Sequence, residues 1–215
     1  MADIFSSMQF LWRGLFVTVE VSLLVIFLSL VAGLLLGVVV TYGPLPARLA
    51  IRLFSDVIRG IPILVLIFFV YYGLPLTGLN LNNFVSAVMA LALFSTAQII
   101  EIARGALQSI HHGQTEAAKA IGLTFAQRLL YVIFPQALRR FLPPWINSVT
   151  DVVKGSALVS LVGVVDLMLA IQQVIGRTYV PLPLYLLGAL IYFSINYTLS
   201  SLSRILEARY AYIRE

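Results

Sequence analysis

The sequence predicts an all-α integral membrane protein that crosses the bilayer five times, and three observations predict it. Of its 215 residues, 60% are hydrophobic and 11% are charged, with a mean hydropathy of +0.99. A soluble domain carries about 25% charged residues, so these charges cannot coat a water-soluble globule, and the solvent must be lipid. The apolar residues also gather into five runs, each long enough to supply the roughly 20 residues that span a hydrocarbon core. Finally, there is no cysteine, and the two histidines are the adjacent His111 and His112. A disulfide framework and a thiolate metal site are therefore excluded, and a histidine metal site is disfavoured. In such a chain the net charge of +5 reports orientation, not affinity for nucleic acid.

The first run extends from about Gly14 to Tyr42 and is closed by Gly43-Pro44-Leu45-Pro46. It is too long for a secretory h-region and lacks a small-residue cleavage site, so it is expected to remain a membrane helix. The second covers about Phe54 to Tyr72 and ends at Gly73-Leu74-Pro75; the third covers about Phe84 to Ala106. The fourth lies within about Trp145 to Ile175, with Asp151, Lys154 and Gly155 in its first half, and the fifth runs from about Leu182 to Leu206. A polar connection at about 107–140 joins the third and fourth. Cations collect in alternate connections: Arg48 and Arg52; then Lys119, Arg128, Arg139 and Arg140; then Arg209 and Arg214, beyond Arg204. Five crossings place all three groups on one side, while the other holds Arg13, Arg177 and the uncharged stretch from Pro75 to Asn83. The cation-rich side is the cytoplasmic one, so the N-terminus is expected outside and the C-terminus in the cytoplasm. With no internal repeat or low-complexity tract, residues 1–215 read as one transmembrane domain.

Charge inside apolar runs is costly and needs a partner or a task. Several charges have a candidate partner three residues away on the same helix face: Asp56 with Arg59, Glu101 with Arg104, Asp151 with Lys154, and Arg204 with Glu207. Glu116 and Lys119 repeat that spacing in the polar connection. Lys154 could equally face a central path. Glu20 and Asp166 have no Lys or Arg within four residues. They must pair across helices, face water, stay protonated or bind a ligand. For Glu20 the choice is between a hydrogen bond to a neighbouring helix and the lining of a path. Asn147, Ser148, Thr150, Ser156 and Ser160 make the start of the fourth run polar, which suits either interhelical hydrogen bonds or a hydrophilic lining. Gly33 and Gly37 allow close helix packing, within one subunit or between two.

The polar connection is the longest interruption of the oil-like pattern. Glu116-Ala117-Ala118-Lys119-Ala120-Ile121 are mostly good helix formers, and Gly122 stops such a helix at C′. Thr124 and Gln127 have capping-box spacing for the next helix. Phe134 should end that run before Pro135, whose ring and missing N–H disturb a continuing helix. The expectation is a short helix, a sharp turn and a second helix lying across the ends of the spans.

The pattern Glu116-Ala117-Ala118, three residues, Gly122, nine residues, then Val132-Ile133-Phe134-Pro135 resembles the signature loop of ABC importer permeases. Val and Phe stand where that family usually has Ile and Leu. Further along the chain, Arg59-Gly60-Ile61-Pro62, Phe68-Phe69-Val70-Tyr71-Tyr72-Gly73-Leu74-Pro75, Glu101-Ile102-Ala103-Arg104-Gly105, Gln108-Ser109-Ile110, Gly113-Gln114 and Pro135-Gln136-Ala137-Leu138-Arg139 all resemble the polar amino acid permeases, which serve histidine, glutamine, arginine and glutamate. Leu158-Val159-Ser160-Leu161-Val162-Gly163-Val164-Val165-Asp166-Leu167 is similar to that family's fourth-span motif. The sequence departs from the family at Lys154-Gly155-Ser156-Ala157, at Ala97-Gln98 where Tyr is common, and at Asp166 where Glu is usual.

The resemblance implies the type I ABC importer permease fold, with the short helix as its coupling helix. It implies a separate ATPase dimer that binds ATP and Mg, a second permease subunit, an external solute-binding protein, and a polar amino acid as cargo. The chain itself has no Gly-xxxx-Gly-Lys-Ser/Thr phosphate loop and no expected cofactor. Glu116, Ala117, Ala118, Gly122 and Pro135 would serve coupling to the ATPase. Asp166, Ser156, Lys154, Glu20 and Gln98 are the candidates for the solute path, with Asp166 facing an ammonium group. A secondary transporter, which usually needs more spans or an inverted repeat, and a non-transporting membrane scaffold are the alternative classes. The acids favour a cationic cargo and Lys154 an acidic one.

Overall fold

The computed structural model describes the backbone of residues 2–211 and the side chains of residues 7–205. Among these residues there are helices and no strand. Helix α1 (Ala2–Tyr42) ends where Gly43, then Pro44 with its fixed φ, turn the chain into α2 (Leu45–Gly60). Helix α3 (Ile63–Phe68) continues through a π-helical turn, Phe69–Gly73, and a 3-10 turn, Leu74–Thr77, which Gly78 closes in the left-handed region. Helix α4 (Asn83–Gln108) starts under an Asn82 cap whose side chain accepts from the Val85 N–H.

The polar connection holds α5 (His112–Ala120) and the short α6 (Phe125–Gln127). A π-helical turn, Arg128–Ile133, then leads into α7 (Phe134–Gly155) and a 3-10 segment, Ser156–Val162. Helix α8 (Leu167–Thr178) and helix α9 (Pro181–Ala211) complete the chain.

Three helical segments are long and apolar enough to span alone: Ser7–Tyr42, Asn83–Gln108 and Pro181–Ile205. Two bent pairs supply further crossings if each counts as one: Leu45–Gly60 with Ile63–Thr77, bent by 104°, and Phe125–Val162 with Leu167–Thr178, bent by 51°. The expected second span, Phe54 to Tyr72, therefore straddles a corner. Pro62 is the reason: it disfavours helical backbone at Ile61, which is extended with φ −89° and ψ 130°. The expected stop at Pro135 is also corrected. Pro135 sits in the first turn of α7, where a missing N–H costs little, and the preceding π-helical turn keeps the chain helical.

Helices α1 and α4 run in parallel and form the spine. A methyl group built on Gly33 would lie 2.5 Å from Ile99, and one on Gly37 would lie 2.6 Å from the Ala103 Cβ. The two glycines thus let α1 approach α4 within the subunit, one of the two open readings of their spacing. The main apolar core joins Val21 and Val25 of α1, Leu66 and Ile67 of α3, Leu91 of α4, Val152 of α7 and Val159 of the 3-10 segment. Near the other end of the spine, Leu107, Ile133 and Ala137 pack together with Val38 against them.

Candidate functional site

Helix α5 is capped at both ends. The His111 Nδ1 accepts from the Gly113 N–H at 3.1 Å. At the other end the Gly122 N–H donates to the Lys119 carbonyl and the Leu123 N–H to the Ala118 carbonyl, at 2.9 and 3.1 Å. These two bonds form a Schellman closure with Gly122 at C′ and φ +80°. The expected capping box follows: the Thr124 N–H donates to Gln127 Oε1 at 2.9 Å and the Gln127 N–H to Thr124 Oγ1 at 3.4 Å. Two helix ends so fixed hold a sharp corner without help from a neighbouring chain.

Ala118 is the buried residue of α5, while Glu116, Ala117, Lys119 and Gly122 are exposed. Glu116 does not take the expected pairing with Lys119. His112 Nδ1 lies 3.0 Å from its Oε1, one turn earlier, and both side chains stay open to solvent. The Tyr42 ring at the end of α1 meets the Phe125 ring edge-on, with centroids 5.6 Å apart. The connection carrying Arg48 and Arg52 therefore lies at the same end of the molecule as α5.

Other charged pairs divide. Arg104 donates to Glu101 at 2.6 Å and to Gln108 at 2.8 Å, and Lys154 meets Asp151 at 2.8 Å. No Asp56–Arg59 salt bridge forms among the described residues. Arg204 packs over the Tyr197 ring, 5.6 Å from its centroid, and donates to Ser201; the side chain of Glu207 lies outside the described residues.

The five path candidates separate into two groups. Asp166 is fully buried at 0% exposure, and its carboxylate caps α8: Oδ1 accepts from the Leu169 N–H at 2.9 Å. The Tyr192 hydroxyl donates to Oδ2 at 3.4 Å. Thr18 Oγ1 accepts from the adjacent Leu167 N–H at 3.0 Å, and Gly14 leaves room for the Asp166 carbonyl. Ser156 is also fully buried, donates to the Val153 carbonyl at 2.8 Å, and lies within reach of the Tyr192 hydroxyl. Asp166 and Ser156, expected to contact the solute, both belong in this structure to a polar knot that ties α1, α8 and α9 to the end of α7. Capping a helix and accepting a phenol hydroxyl satisfy the carboxylate without a cation.

Lys154 is exposed, and Gln98 is half-buried with its Oε1 3.5 Å from Ser148 Oγ. Asn147, Asp151 and Lys154 recur at helical spacing and form one exposed polar stripe on α7. Glu20 is exposed on α1 among Phe16, Leu23, Leu24 and Phe27. It lies about 33 Å along the helix from Tyr42, close to the hydrocarbon thickness of about 30 Å. Of these features, the stripe follows from a period of 3.6 applied to α7. Thr18 and Tyr192 carried no signal, because nothing local links residues so far apart.

Comparison with known proteins places these features in context. The family described as "Binding-protein-dependent transport system inner membrane component" matches residues 6–212. The probable glutamine ABC transporter permease protein GlnP of Bacillus subtilis (strain 168) is 37% identical, over 94% of this chain and 94% of its own length. The glutamine transport system permease protein GlnP of Escherichia coli (strain K12) is also 37% identical, over 96% and 95%. A crystal structure of an amino acid ABC transporter with histidines superposes with a TM-score of 0.88 at 33% identity, covering 96% of each chain.

Proposed function

The chain belongs to the binding-protein-dependent transport system inner membrane component family, and from that premise we propose that it passes a polar amino acid through a path completed by a second permease subunit. It is a permease subunit of an ABC importer and a multi-pass inner membrane protein; in these systems the ATPase is a separate chain. We propose that residues 1–215 act as one domain, with the N-terminus outside and the C-terminus in the cytoplasm. ATP and Mg would be bound by an ATPase dimer on the cytoplasmic side, and an external solute-binding protein would deliver the cargo. The relatives described as glutamine permeases support glutamine as the first amino acid to test.

The observation that carries this reading is α5, an exposed helix closed at both ends at the tip of an apolar molecule. Glu116 offers charge to a groove in the ATPase, Ala117 permits close approach, Ala118 seats the helix, Gly122 fixes its exit, and Pro135 starts the helix that follows. In this proposal the Asn147, Asp151 and Lys154 stripe, with Gln98 behind it, lines the path. A polar stripe of this kind cannot face lipid at low cost, and a second subunit would cover it. Asp166 and Ser156 serve the path from behind, by holding α8 in place, and Glu20 marks its outer end.

The test uses the chain with its ATPase and binding protein in proteoliposomes. The expected result is amino acid uptake that requires both ATP and the loaded binding protein. Substitution of Glu116 by Lys should reduce co-purification of the ATPase several-fold. Uptake driven without ATP would overturn the reading.

A further inference from the structure

The exposed helix α5, and the C-cap of α4 that leads into it, are fastened to α7 by side chains that the signature loop does not include. Arg140 of α7 donates through Nη1 to the carbonyl of Ser109, the C-cap residue of α4 just before α5. A cation there also complements the negative end of the α4 dipole. One turn earlier on α7, Gln136 Nε2 donates to Gln114 Oε1 of α5 at 3.5 Å and to the Val132 carbonyl at 2.8 Å. Beneath these bonds, Leu107, Ile133 and Ala137 form an apolar floor with Ile110 and Leu129. Pro143 and Pro144 lie inside α7. They cannot donate to the carbonyls of Arg139 and Arg140, so the turn bearing Arg140 is held to the rest of α7 by fewer ladder bonds than usual. The side-chain links to Ser109 and Gln114 hold that turn to the end of α4 and to α5.

We propose that Arg140 and Gln136 are positioning residues that clamp the end of α4 and the helix α5 that follows it to the first half of α7, so that these segments move as one rigid body when the ATPase pushes on α5. From Arg140 to Lys154 the helix carries that displacement about 21 Å, to the polar stripe at Asn147, Asp151 and Lys154. This inference rests on the reading of α5 as the ATPase-docking helix.

The chain has no native cysteine, so a background-free cross-link tests the clamp. Gln114→Cys and Gln136→Cys are introduced together, oxidised, and assayed in proteoliposomes with the ATPase and loaded binding protein. A rigid clamp predicts that the oxidised pair keeps the ratio of uptake to ATP hydrolysis within about twofold of the unsubstituted chain. Loss of uptake on oxidation, restored by a reductant, would show that α5 and α7 slide past each other and would overturn the proposal. In the second arm, Arg140→Ala is expected to lower uptake per ATP at least tenfold while the ATPase still co-purifies. Arg140→Lys, which can still donate to the Ser109 carbonyl, should recover most of the loss, and so should the oxidised cysteine pair placed in the Arg140→Ala chain. An Arg140→Ala protein with normal coupling, or one that sheds the ATPase, overturns the clamp. The docking reading fails separately, if Glu116→Lys leaves ATPase co-purification unchanged.

Discussion

At Gly122 the backbone φ is +80°, and a methyl group built on it would touch nothing within 4 Å. The demand for glycine is therefore conformational and not steric, and an L-residue held there costs about 1–2 kcal/mol. Gly122→Val is expected to insert and fold normally but to open the Schellman turn. Uptake and ATP hydrolysis measured together should then separate, with uptake falling the more; equal transport by variant and parent would remove Gly122 from the coupling role. Asp166 is decided by different physics. Asn ranks with Asp as an N-cap, whereas loss of a cap costs about 1 kcal/mol. Asp166→Asn should keep the melting temperature and the uptake KM within about twofold, and Asp166→Ala should lower the melting temperature of the detergent-solubilised protein. A tenfold rise in KM for the Asn variant would instead show the carboxylate on the solute. The cap was hidden in the sequence: Asp166 looked unpartnered because its partners are a backbone N–H of α8 and a hydroxyl from α9.

Helix packing sets the next scale. A methyl group built on Gly37 comes 2.6 Å from the Ala103 Cβ, an atom that cannot swing away, while one on Gly105 meets nothing within 4 Å. Gly37→Ala should therefore destabilise the α1–α4 spine by about 1–3 kcal/mol. Gly105→Ala should be neutral or stabilise by up to about 1 kcal/mol, because helical glycine is entropically unfavourable. Thermal unfolding in detergent, read by loss of monodisperse protein, distinguishes them. The third and fifth apolar runs match the helical segments Asn83–Gln108 and Pro181–Ile205 to within two residues at each end, since each is a long uninterrupted apolar run. The second and fourth do not match in this way. Their hydropathy continues across Ile61-Pro62 and across Gly163, but the helix axis turns at both, by 104° and 51°. Hydropathy sums over a window and is blind to direction; only Pro62 and the left-handed Gly163, with φ +81°, mark where the axis breaks.

Over the whole molecule, the contacts of Gly33 and Gly37 with α4 show α1 and α4 in parallel, and the Tyr42–Phe125 contact places two cationic connections at one end. In the proposed orientation, with the cation-rich end cytoplasmic, a thiol introduced by Leu79→Cys should react with an impermeant maleimide in intact cells. One introduced by Thr115→Cys should react only after permeabilisation, and labelling in the reverse order would invert the proposed orientation. The sequence by itself determined that the chain is a helical membrane protein, where its polar connection lies, and that Gly122 and Thr124 bound a corner, because composition, hydropathy and capping are local properties. Its family was legible too, through motifs that agree in order along nearly the whole chain. The tertiary structure alone decided that Asp166 and Ser156 are buried in a knot with Thr18 and Tyr192, and that Arg140 fastens the C-cap of α4, and Gln136 fastens α5, to α7. Each of those is a contact between segments far apart in sequence, and its geometry exists only once the helices have packed.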